Sequence, residues 1–591
     1  MAVYGYGHCF GRIFRRSEFQ APILFSGIVF LLAISPLLSL LHLFSRGALS
    51  VILAVGALAC SRFFPKYGRQ IVRRFRFPGS RTTALLLITG FLFLSNLLRA
   101  SVPDTNPDAL TAYAVAPDRW LNNGEITYFE DSIFSGFPWT GEILSSWPAS
   151  LSTGPMDQLA VLQVFQMTML LAAAVTAWKL LGRGLNGLLA CISACMATSM
   201  LAEWASLPKF EMTVLFFTTV AIGMSLKQYL AKDRIFTIIP FLAMGFALAT
   251  KVTAYILLPS FLLLVLFIPI YRKPSHFLPG IFLMLLLPAI FAVNTYAHTG
   301  APFYPNTLSF FPPDAEHVLV EVPEIAAHAR ANIASNDLLV ETRPDRFFTN
   351  LGRLIESWGL PIYIFLFGMI YVLVSRKHFG VLVPFSCMLV YAVIASIAFN
   401  PIKWGAKYAY LMSPVLAATG IAWSKNLFLN RYAFYGYLIV LLIISSIHIR
   451  MRAVFSYPFF SESIGFDVSN GVEVKSLHEW CNSNLPDGSR LLSLWKRERY
   501  FCSHEIVVIE THPLALRLFL AKSLREEIAL LDQMGIDYVY FDSNDPMPGK
   551  LERCLHFLNS RRLDFVTEID GYSLYRIIYN QKSTQESSSF I

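Results

Sequence analysis

Long runs of apolar residues without a single charge constrain this chain more than any other feature. Residues 238–248, 254–270 and 277–293 contain no Asp, Glu, Lys or Arg. About 20 apolar residues in a helix cross the hydrocarbon core of a bilayer, and continuous runs lack the alternation of barrel strands. Charged residues make up only 15% of the chain, against roughly 25% in soluble proteins. The sequence therefore predicts an α-helical polytopic membrane protein.

About thirteen membrane spans are predicted, followed by a hydrophilic tail. Their approximate limits are 22–43, 47–61, 83–100, 158–180, 185–203, 211–228, 235–250, 254–271, 277–294, 354–375, 379–399, 406–424 and 432–449. The second span is short and could be re-entrant or share a helical hairpin with the first, and the seventh and eighth spans are divided at Lys251. Arg12, Arg15 and Arg16 precede the first span like a signal sequence, but no small-residue cleavage site follows, so we interpret it as an uncleaved helix. The membrane domain is then 1–454 and the tail domain 455–591.

The charges between the spans predict an orientation. Residues 62–81 carry seven basic and no acidic side chains, whereas residues 101–157 carry eight acids against one arginine. The second long loop, within 295–350, is also acidic. By the positive-inside rule, we expect the N-terminus to be cytoplasmic, and both long loops and the tail to lie outside. We expect the membrane to be a bacterial inner membrane. Arg450 and Arg452 favour the other side for the tail, so one miscounted helix would invert it. The net charge of +9 is explained by these turns and does not indicate nucleic-acid binding.

The tail is predicted to be a small α/β domain, three-layered or doubly wound. We expect helices at 473–482, 514–534 and 551–560, and strands at 490–495, 505–510, 535–542 and 572–578. No Gly-rich phosphate loop follows these strands, and the last residues have a composition typical of disorder. Cys481, Cys502 and Cys554 form an odd set, so at least one thiol is free or paired elsewhere.

Carboxylates open the first outward loop at the membrane surface. Asp104 and Asp108 directly follow the third span, where a carboxylate could act as the general base for a hydroxyl nucleophile. The alternative is a solvated acid or a helix N-cap for the run starting at Ala109.

Several lysines sit at the outward ends of spans. Lys251 interrupts an otherwise uncharged stretch, which is by default a functional signal, although a snorkelling lysine at a tight turn is the competing interpretation. Lys403 and Lys407 lie four residues apart and could share one helix face, or could simply anchor the interface. Lys209, beside Glu211, is a further candidate to hold a phosphate headgroup.

Four motifs occur in an order that resembles the GT-C glycosyltransferases. They resemble in particular the bacterial family-39-like and Rgt-type members, related to aminoarabinose transferase and protein O-mannosyltransferase. The motifs occupy residues 108–126 (the D-A-L loop start), 136–144 (with Glu142 in a P-x-x-x-E-x-L stretch), 245–253 (G-x-A-L-x-T-K) and 294–305 (N-x-x-x-x-T-G-x-P-x-Y-P). The chain departs from the pattern at Tyr113, which is shifted by one position, at the Lys209-Phe210-Glu211 segment, and at Lys407-Tyr408, where an Arg-Tyr pair is usual.

The resemblance implies transfer of a sugar from a polyprenyl-phosphate donor on the outer face of the membrane. It assigns the base to Asp108, with Asp104 and then Glu142 as further candidates. Phosphate contacts would come from Lys251, Lys403, Lys407 and Lys209. The substrate pocket would include Tyr113, Tyr304 and Tyr408. No cofactor is required, although the crowded carboxylates are compatible with a divalent metal ion. The acceptor, a glycan, lipid or protein, is not indicated.

Three other classes of protein remain open. A transporter or flippase of lipid-linked sugars should show internal repeats, and none is convincing here. A surface-polysaccharide polymerase would less often carry an α/β tail. A purely structural membrane protein would leave the carboxylate loop and Lys251 unexplained.

Overall fold

The computed structural model describes most of the membrane domain and the central part of the tail. The described residues are 1–13, 23–61, 79–101, 113–130, 132–231, 237–304, 314, 358–376, 382–398, 410–424, 432, 434–443, 474–494, 502–509, 512–542 and 555–579. The basic segment 62–78, most of the second long loop and the end of the chain lie outside them.

Helices occupy nearly every predicted span. In chain order they are α1 (Ala2–Ile13), α2 (Ile23–Leu40), α3 (Arg46–Ser61), α4 (Ser80–Ala100), α5 (Val115–Asn123), α6 (Thr140–Ala149), α7 (Pro155–Leu181), α8 (Leu185–Ala197), α9 (Ser199–Ala205), α10 (Glu211–Ala231), α11 (Ile239–Leu248), α12 (Leu258–Leu266), α13 (Pro274–Thr299), α14 (Leu360–Arg376), α15 (Leu382–Ala398), α16 (Ser413–Trp423) and α17 (Phe434–Ile443). Five of these, α2, α4, α7, α10 and α13, are both long and apolar enough to cross a membrane among the described residues. The chain is thus an α-helical polytopic membrane protein, while the count of thirteen spans is not confirmed.

The helix bundle has a buried centre and a lipid-compatible rim. Helix α10 packs against α7 and α11, and most of its residues are buried, as expected for a helix that is apolar on all sides. Helix α13 lies at the rim and exposes large apolar side chains such as Phe282 and Val293. This helix packs on α11 through Gly280 and Gly245, where the missing side chains allow close approach.

The first long loop is a packed structure, which its hydrophilic composition did not predict. Its helices α5 and α6 pack on each other and on the ends of α2, α3 and α7, and they bury Trp120 and Trp147. Arg46, the first residue of α3, donates to the carbonyl oxygen of Ala149 at 3.0 Å and pairs with Asp118 of α5. We call the end of the bundle that carries α5 and α6 the loop end.

The described tail is a three-layer α/β unit, as predicted. Its elements are α18 (Lys475–Asn484), β1 (Arg490–Ser493), β2 (Glu505–Val508), α19 (Pro513–Leu516), α20 (Leu524–Gln533), β3 (Tyr538–Asp542), β4 (Leu563–Ile569) and β5 (Tyr572–Ile577). The sheet order is β2-β1-β3-β5-β4, parallel among the first three strands and antiparallel for β5 and β4. One sheet face contacts Leu477 of α18, and the other contacts Leu531 of α20.

Two predictions for the tail were wrong in detail. The single helix at 514–534 is broken into α19, a 3-10 helix at Arg517–Leu520, and α20. The break occurs because Ser523 caps a new helix start by accepting a hydrogen bond from the Glu526 N–H at 3.3 Å. The helix at 551–560 is only a 3-10 turn, His556–Asn559, in its described part, and strand β4 was missed.

Candidate active site

Lys251 forms an ion pair at the loop end of the bundle. Helix α11 ends at Leu248 and Lys251 has an extended backbone, so the predicted break between two spans is present. Its Nζ donates to Oε1 of Glu211, the first residue of α10, and to the Tyr113 hydroxyl at 3.4 Å. The Glu211 side chain is only 4% exposed and that of Lys251 21%. Because both charges are largely withdrawn from water, each depends on the other for compensation.

A second lysine converges on the same aromatic ring. Lys209 Nζ lies 5.9 Å from the centroid of the Tyr113 ring and 5.7 Å from that of Trp204, and Lys251 Nζ lies 5.5 Å from the Tyr113 centroid. Phe210 holds the same tyrosine in an edge-to-face contact with a centroid distance of 5.0 Å. Both ammonium groups are therefore within cation–π range of Tyr113. Two positively charged groups therefore lie near Tyr113, and Lys251 has Glu211 as a counter-ion.

Helix α6 covers this cluster and brings Glu142 to it. The Thr140 N–H donates to the carbonyl oxygen of Ala249, next to the Lys251 turn, at 3.3 Å. At Gly141 a side-chain carbon would come within 2.5 Å of the Phe210 ring, so α6 approaches the cluster closely because this position lacks a side chain. Glu142 follows directly.

The Glu142 carboxyl is in an unusual electrostatic state. Burial raises its pKa to about 8, and the nearby positive charge of Lys251 opposes this shift only in part. Its Oε2 is buried and accepts no hydrogen bond from any described residue, and the same is true of Oε2 of Glu211. A carboxyl with this pKa retains its proton at neutral pH, so it can donate a hydrogen bond but is a poor general base.

The structure brings together several predicted site residues and leaves others outside its described part. Lys251, Lys209, Tyr113 and Glu142 share the loop end. Tyr304 lies on a neighbouring cavity, where its carbonyl oxygen packs against Gly136. Five predicted site residues lie outside the described ranges: Asp104, Asp108, Lys403, Lys407 and Tyr408.

Two apolar cavities open beside the cluster. The larger, of about 520 Å³, runs between α2, α11 and α13 and reaches Thr140 and Ile143, on either side of Glu142. The smaller, of about 260 Å³, is lined by Tyr304 and by Val252, the neighbour of Lys251. Phe291 of α13 borders both. Both cavities are thus lined by chain neighbours of the charged groups, Thr140 and Ile143 for Glu142 and Val252 for Lys251.

Glu211 is the site residue that sequence reasoning missed. The sequence placed it at the outward end of a span, beside Lys209, but gave it no role. A lysine within membrane-embedded sequence needs a counter-ion, and that requirement was the signal that could have selected Glu211. Trp204 and Phe210, which shape the aromatic surroundings, carried no such signal.

The described residues offer no support for a metal centre. Within the described ranges, no group of three or more His, Cys, Asp or Glu side chains could hold a metal ion. Of the loop acids that suggested a metal, Asp104, Asp108 and Asp131 are not among these residues.

Comparisons with known proteins give fold-level similarity only. No protein-family model and no curated protein matches the chain. The chain is similar to the crystal structure of ArnT from Cupriavidus metallidurans bound to undecaprenyl phosphate, with 12% identity and a TM-score of 0.49 over 83% of this chain and 97% of that one. It is also similar to the Archaeoglobus fulgidus oligosaccharyltransferase, with 12% identity and a TM-score of 0.45 over 78% and 69% of the two chains. Both belong to the class of protein that the sequence motifs resemble. At this identity and these TM-scores the similarity carries no argument about activity, which has to be argued from the residues.

Proposed function

We propose that the protein is a membrane glycosyltransferase that moves a sugar from a polyprenyl-phosphate donor to an acceptor on the outer face of the membrane. The observation that carries the proposal is the convergence of Lys251 and Lys209 on Tyr113 at the loop end, with an apolar cavity lined by Thr140 and Ile143, the chain neighbours of Glu142. A phosphate on a polyprenyl chain needs both features, positive charge for its headgroup and an apolar surface for its tail.

The lysines would stabilise the departing phosphate. In the transfer, the acceptor hydroxyl attacks the anomeric carbon, the bond from that carbon to the phosphate oxygen breaks, and polyprenyl phosphate leaves with its negative charge. Fixed cations at that position lower the barrier because the charge on the leaving oxygen grows in the transition state. Lys251 would share its charge between Glu211 and the phosphate, and Lys209 would supply a second positive charge. Lys403 and Lys407 remain candidates for the same phosphate, and Tyr408 for the pocket.

Asp108 would take the proton of the acceptor hydroxyl. It precedes Tyr113 closely in the sequence, and Tyr113 is at the centre of the cluster. An ordinary aspartate is ionised at neutral pH, unlike Glu142, whose pKa of about 8 suits a hydrogen-bond donor to the sugar or the phosphate. Asp104 is the next candidate for the base, and a divalent metal ion held by these loop acids would be an addition to this scheme.

The apolar cavity would hold the polyprenyl tail. It runs along α2 and α13, whose outer faces expose apolar side chains to lipid, so a lipid could enter sideways from the bilayer. Its inner end reaches Thr140 and Ile143 of α6. In this arrangement, the phosphate of the donor would lie near Lys251, and its polyprenyl chain would lie against the apolar lining of the cavity.

The test is transfer of radiolabelled sugar from a polyprenyl-phosphate donor by the purified full-length protein, supplied with membrane glycans, lipids and proteins as acceptors. Asp108→Asn should lower turnover by roughly 10²–10⁴-fold, the range for loss of a general base, while donor binding survives because the amide adds no repulsion. Glu142→Gln is the matched control, since it mimics the protonated acid.

If Asp108→Asn turns over normally, Asp104 is the next base to test. If Asp108, Asp104 and Glu142 all prove dispensable, transferase activity should be abandoned in favour of transport.

A further inference from the structure

Helix α18 and the chain entering β2 lie side by side in the tail. Asn482 Oδ1 accepts hydrogen bonds from the N–H of Ser503 at 2.7 Å and from its hydroxyl at 2.8 Å. One residue further along, the His504 ring nitrogen Nε2 lies 3.1 Å from the carbonyl oxygen of Cys481. These contacts fix residues 481–482 against residues 502–504.

The same contacts bring two thiols into one apolar pocket. Cys481 is fully buried where α18 meets the sheet, and the half-buried Cys502 packs against the same apolar cluster. Burial raises the pKa of Cys481 to about 12, and the adjacent Cys502 thiol adds to the shift. A disulfide needs Cα atoms within roughly 7 Å of each other, and neighbouring hydrogen bonds of 2.7 and 2.8 Å bring the backbones close enough to favour that range.

We infer that Cys481 and Cys502 form a structural disulfide when the tail folds outside the cytoplasm. This goes beyond the proposed transferase function and does not depend on it. It depends on the predicted position of the tail, because disulfides persist in oxidising compartments and are rare in the cytosol.

The oxidation requires a disulfide-containing oxidant, a protein or a small molecule. The thiolate of Cys502, the more exposed of the two, attacks one sulfur of the oxidant and releases its other sulfur as a thiol. Cys481 then loses its proton and attacks Sγ of Cys502, forming the Cys481–Cys502 bond and releasing the second thiol of the oxidant. In total, the two cysteines lose two hydrogens and two electrons, and the oxidant disulfide gains them.

The bond would tie a sheet edge to the helix that covers it. Strand β2 is the edge of the described sheet and pairs only with β1, and α18 packs on one face of that sheet. A cross-link there closes the chain between Cys481 and Cys502, which contains β1, into a loop. Such a loop lowers the conformational entropy of the unfolded chain. At this loop length, the equilibrium between folded and unfolded tail shifts towards the folded state by roughly 100-fold.

The experiment uses the full-length protein in membranes that are treated with N-ethylmaleimide during lysis to block free thiols. After purification and digestion without reductant, mass spectrometry should find the peptides of Cys481 and Cys502 linked, and reduction should separate them with the gain of two hydrogens. Cys554→Ser should retain the link, whereas Cys481→Ser should leave Cys502 alkylated. Reduction should also speed amide exchange in α18 and β2 by roughly 100-fold.

Two results would overturn the inference. One is alkylation of both Cys481 and Cys502 in the unreduced wild-type protein. The other is a link from either residue to Cys554. Because both are read on the wild-type chain, the outcome does not depend on whether a variant folds.

Discussion

The loop end of the membrane domain and the tail both bury carboxylates, but the two regions differ in how many of the carboxylate oxygens accept hydrogen bonds. In the tail, Glu527 is fully buried and both of its oxygens are used: Oε1 accepts from the N–H and the ring Nδ1 of His556 at 2.8 Å, and Oε2 from the N–H of Phe557 at 2.7 Å. At the loop end, Glu142 and Glu211 each keep one buried oxygen without a hydrogen bond from any described residue.

This difference bears on the proposed ligand site. Leaving a buried polar atom without a hydrogen bond costs roughly 1–3 kcal/mol, and a bound ligand that donates a hydrogen bond to Glu142 or Glu211 would remove that cost. Among the described residues of the tail, one comparable atom is found, Nδ1 of the buried His478, in a residue whose Nε2 lies 3.2 Å from the Tyr540 hydroxyl. The loop end has two such acids beside two converging lysines, and for this reason we place substrate binding there.

The largest effect should follow from breaking the ion pair at the loop end. Lys251→Met leaves the charge of Glu211 buried and uncompensated, which should lower the free energy of unfolding by roughly 3–5 kcal/mol. The double variant Lys251→Met/Glu211→Gln should recover most of that stability, because neither residue is then charged. Binding of the anionic lipid donor should stay at least about tenfold weaker in both. Thermal unfolding and donor binding of the detergent-purified protein measure the two effects, and normal donor binding by the double variant would contradict a phosphate role for Lys251.

His478 should make the tail sensitive to acid. Burial lowers the pKa of His478 from 6.5 to about 4, so below pH 6.5 the unfolded tail binds a proton that the folded tail cannot. Stability should therefore fall as pH decreases from about 6.5 to about 4, by roughly 3 kcal/mol at the lower end. Amide exchange of β1 and β3, corrected for the intrinsic pH dependence, measures this loss. His478→Gln should remove it, and an unchanged pH profile in that variant would assign the effect to another group.

Glu527→Gln should weaken the tail without affecting transfer. The amide replaces one charged acceptor by a donor, so hydrogen bonds to a charged group worth roughly 1.5–3 kcal/mol are lost or weakened. Glu479→Gln on the exposed side of α18 is the control and should change stability by less than about 0.5 kcal/mol. Exchange rates of amides in α20 and β3 report the effect, and turnover should match that of the wild type. A Glu527→Gln protein that is folded but inactive would extend the active site into the tail.

The sequence predicted the helices better than the site. Uncharged runs marked the spans, and the break at Lys251 was visible because a charge interrupted one of them. Helix α1 was missed, since the arginines before the first apolar run resembled the start of a signal sequence. The packing of α1 on α2 and α3 depends on Gly5 and Gly27, which allow close approach of backbones. For the first loop, the sequence offered a helix from Ala109 only as one alternative and did not predict a packed structure, although Trp120 and Trp147 are buried.

Long-range pairing explains the remaining errors. Lys251 and Glu211 are 40 residues apart in the chain, and only the packing of α10 against α11 brings them together. The sequence could indicate that Lys251 needs an anion, but not which of the nearby acids supplies it. In the tail, the antiparallel return of β5 beside β3 likewise depends on contacts that local patterns do not encode.

Glu142→Gln should have the smallest effect. A glutamine keeps the size and the hydrogen-bond donor of the protonated acid, so turnover at neutral pH should stay within about threefold of the wild type. The wild-type profile should include an ionisation near pH 8 that the variant lacks, because burial raises the pKa of Glu142 to about 8. A pH–rate profile of the two proteins measures this, and a large loss at pH 7 would show that Glu142 acts as an ionised base.

The most direct test of the proposed site is a binding comparison between polyprenyl phosphate and the matched neutral polyprenol. The full-length protein in nanodiscs should bind the phosphate at least about tenfold more tightly, since the two ligands differ only in the group that would contact Lys251 and Lys209. This preference should weaken in Lys251→Met/Glu211→Gln, which keeps Lys209, and should disappear when Lys209→Met is added. Equal binding of the two lipids by the wild type, or a preference that survives in the triple variant, would contradict a phosphate site at the loop end.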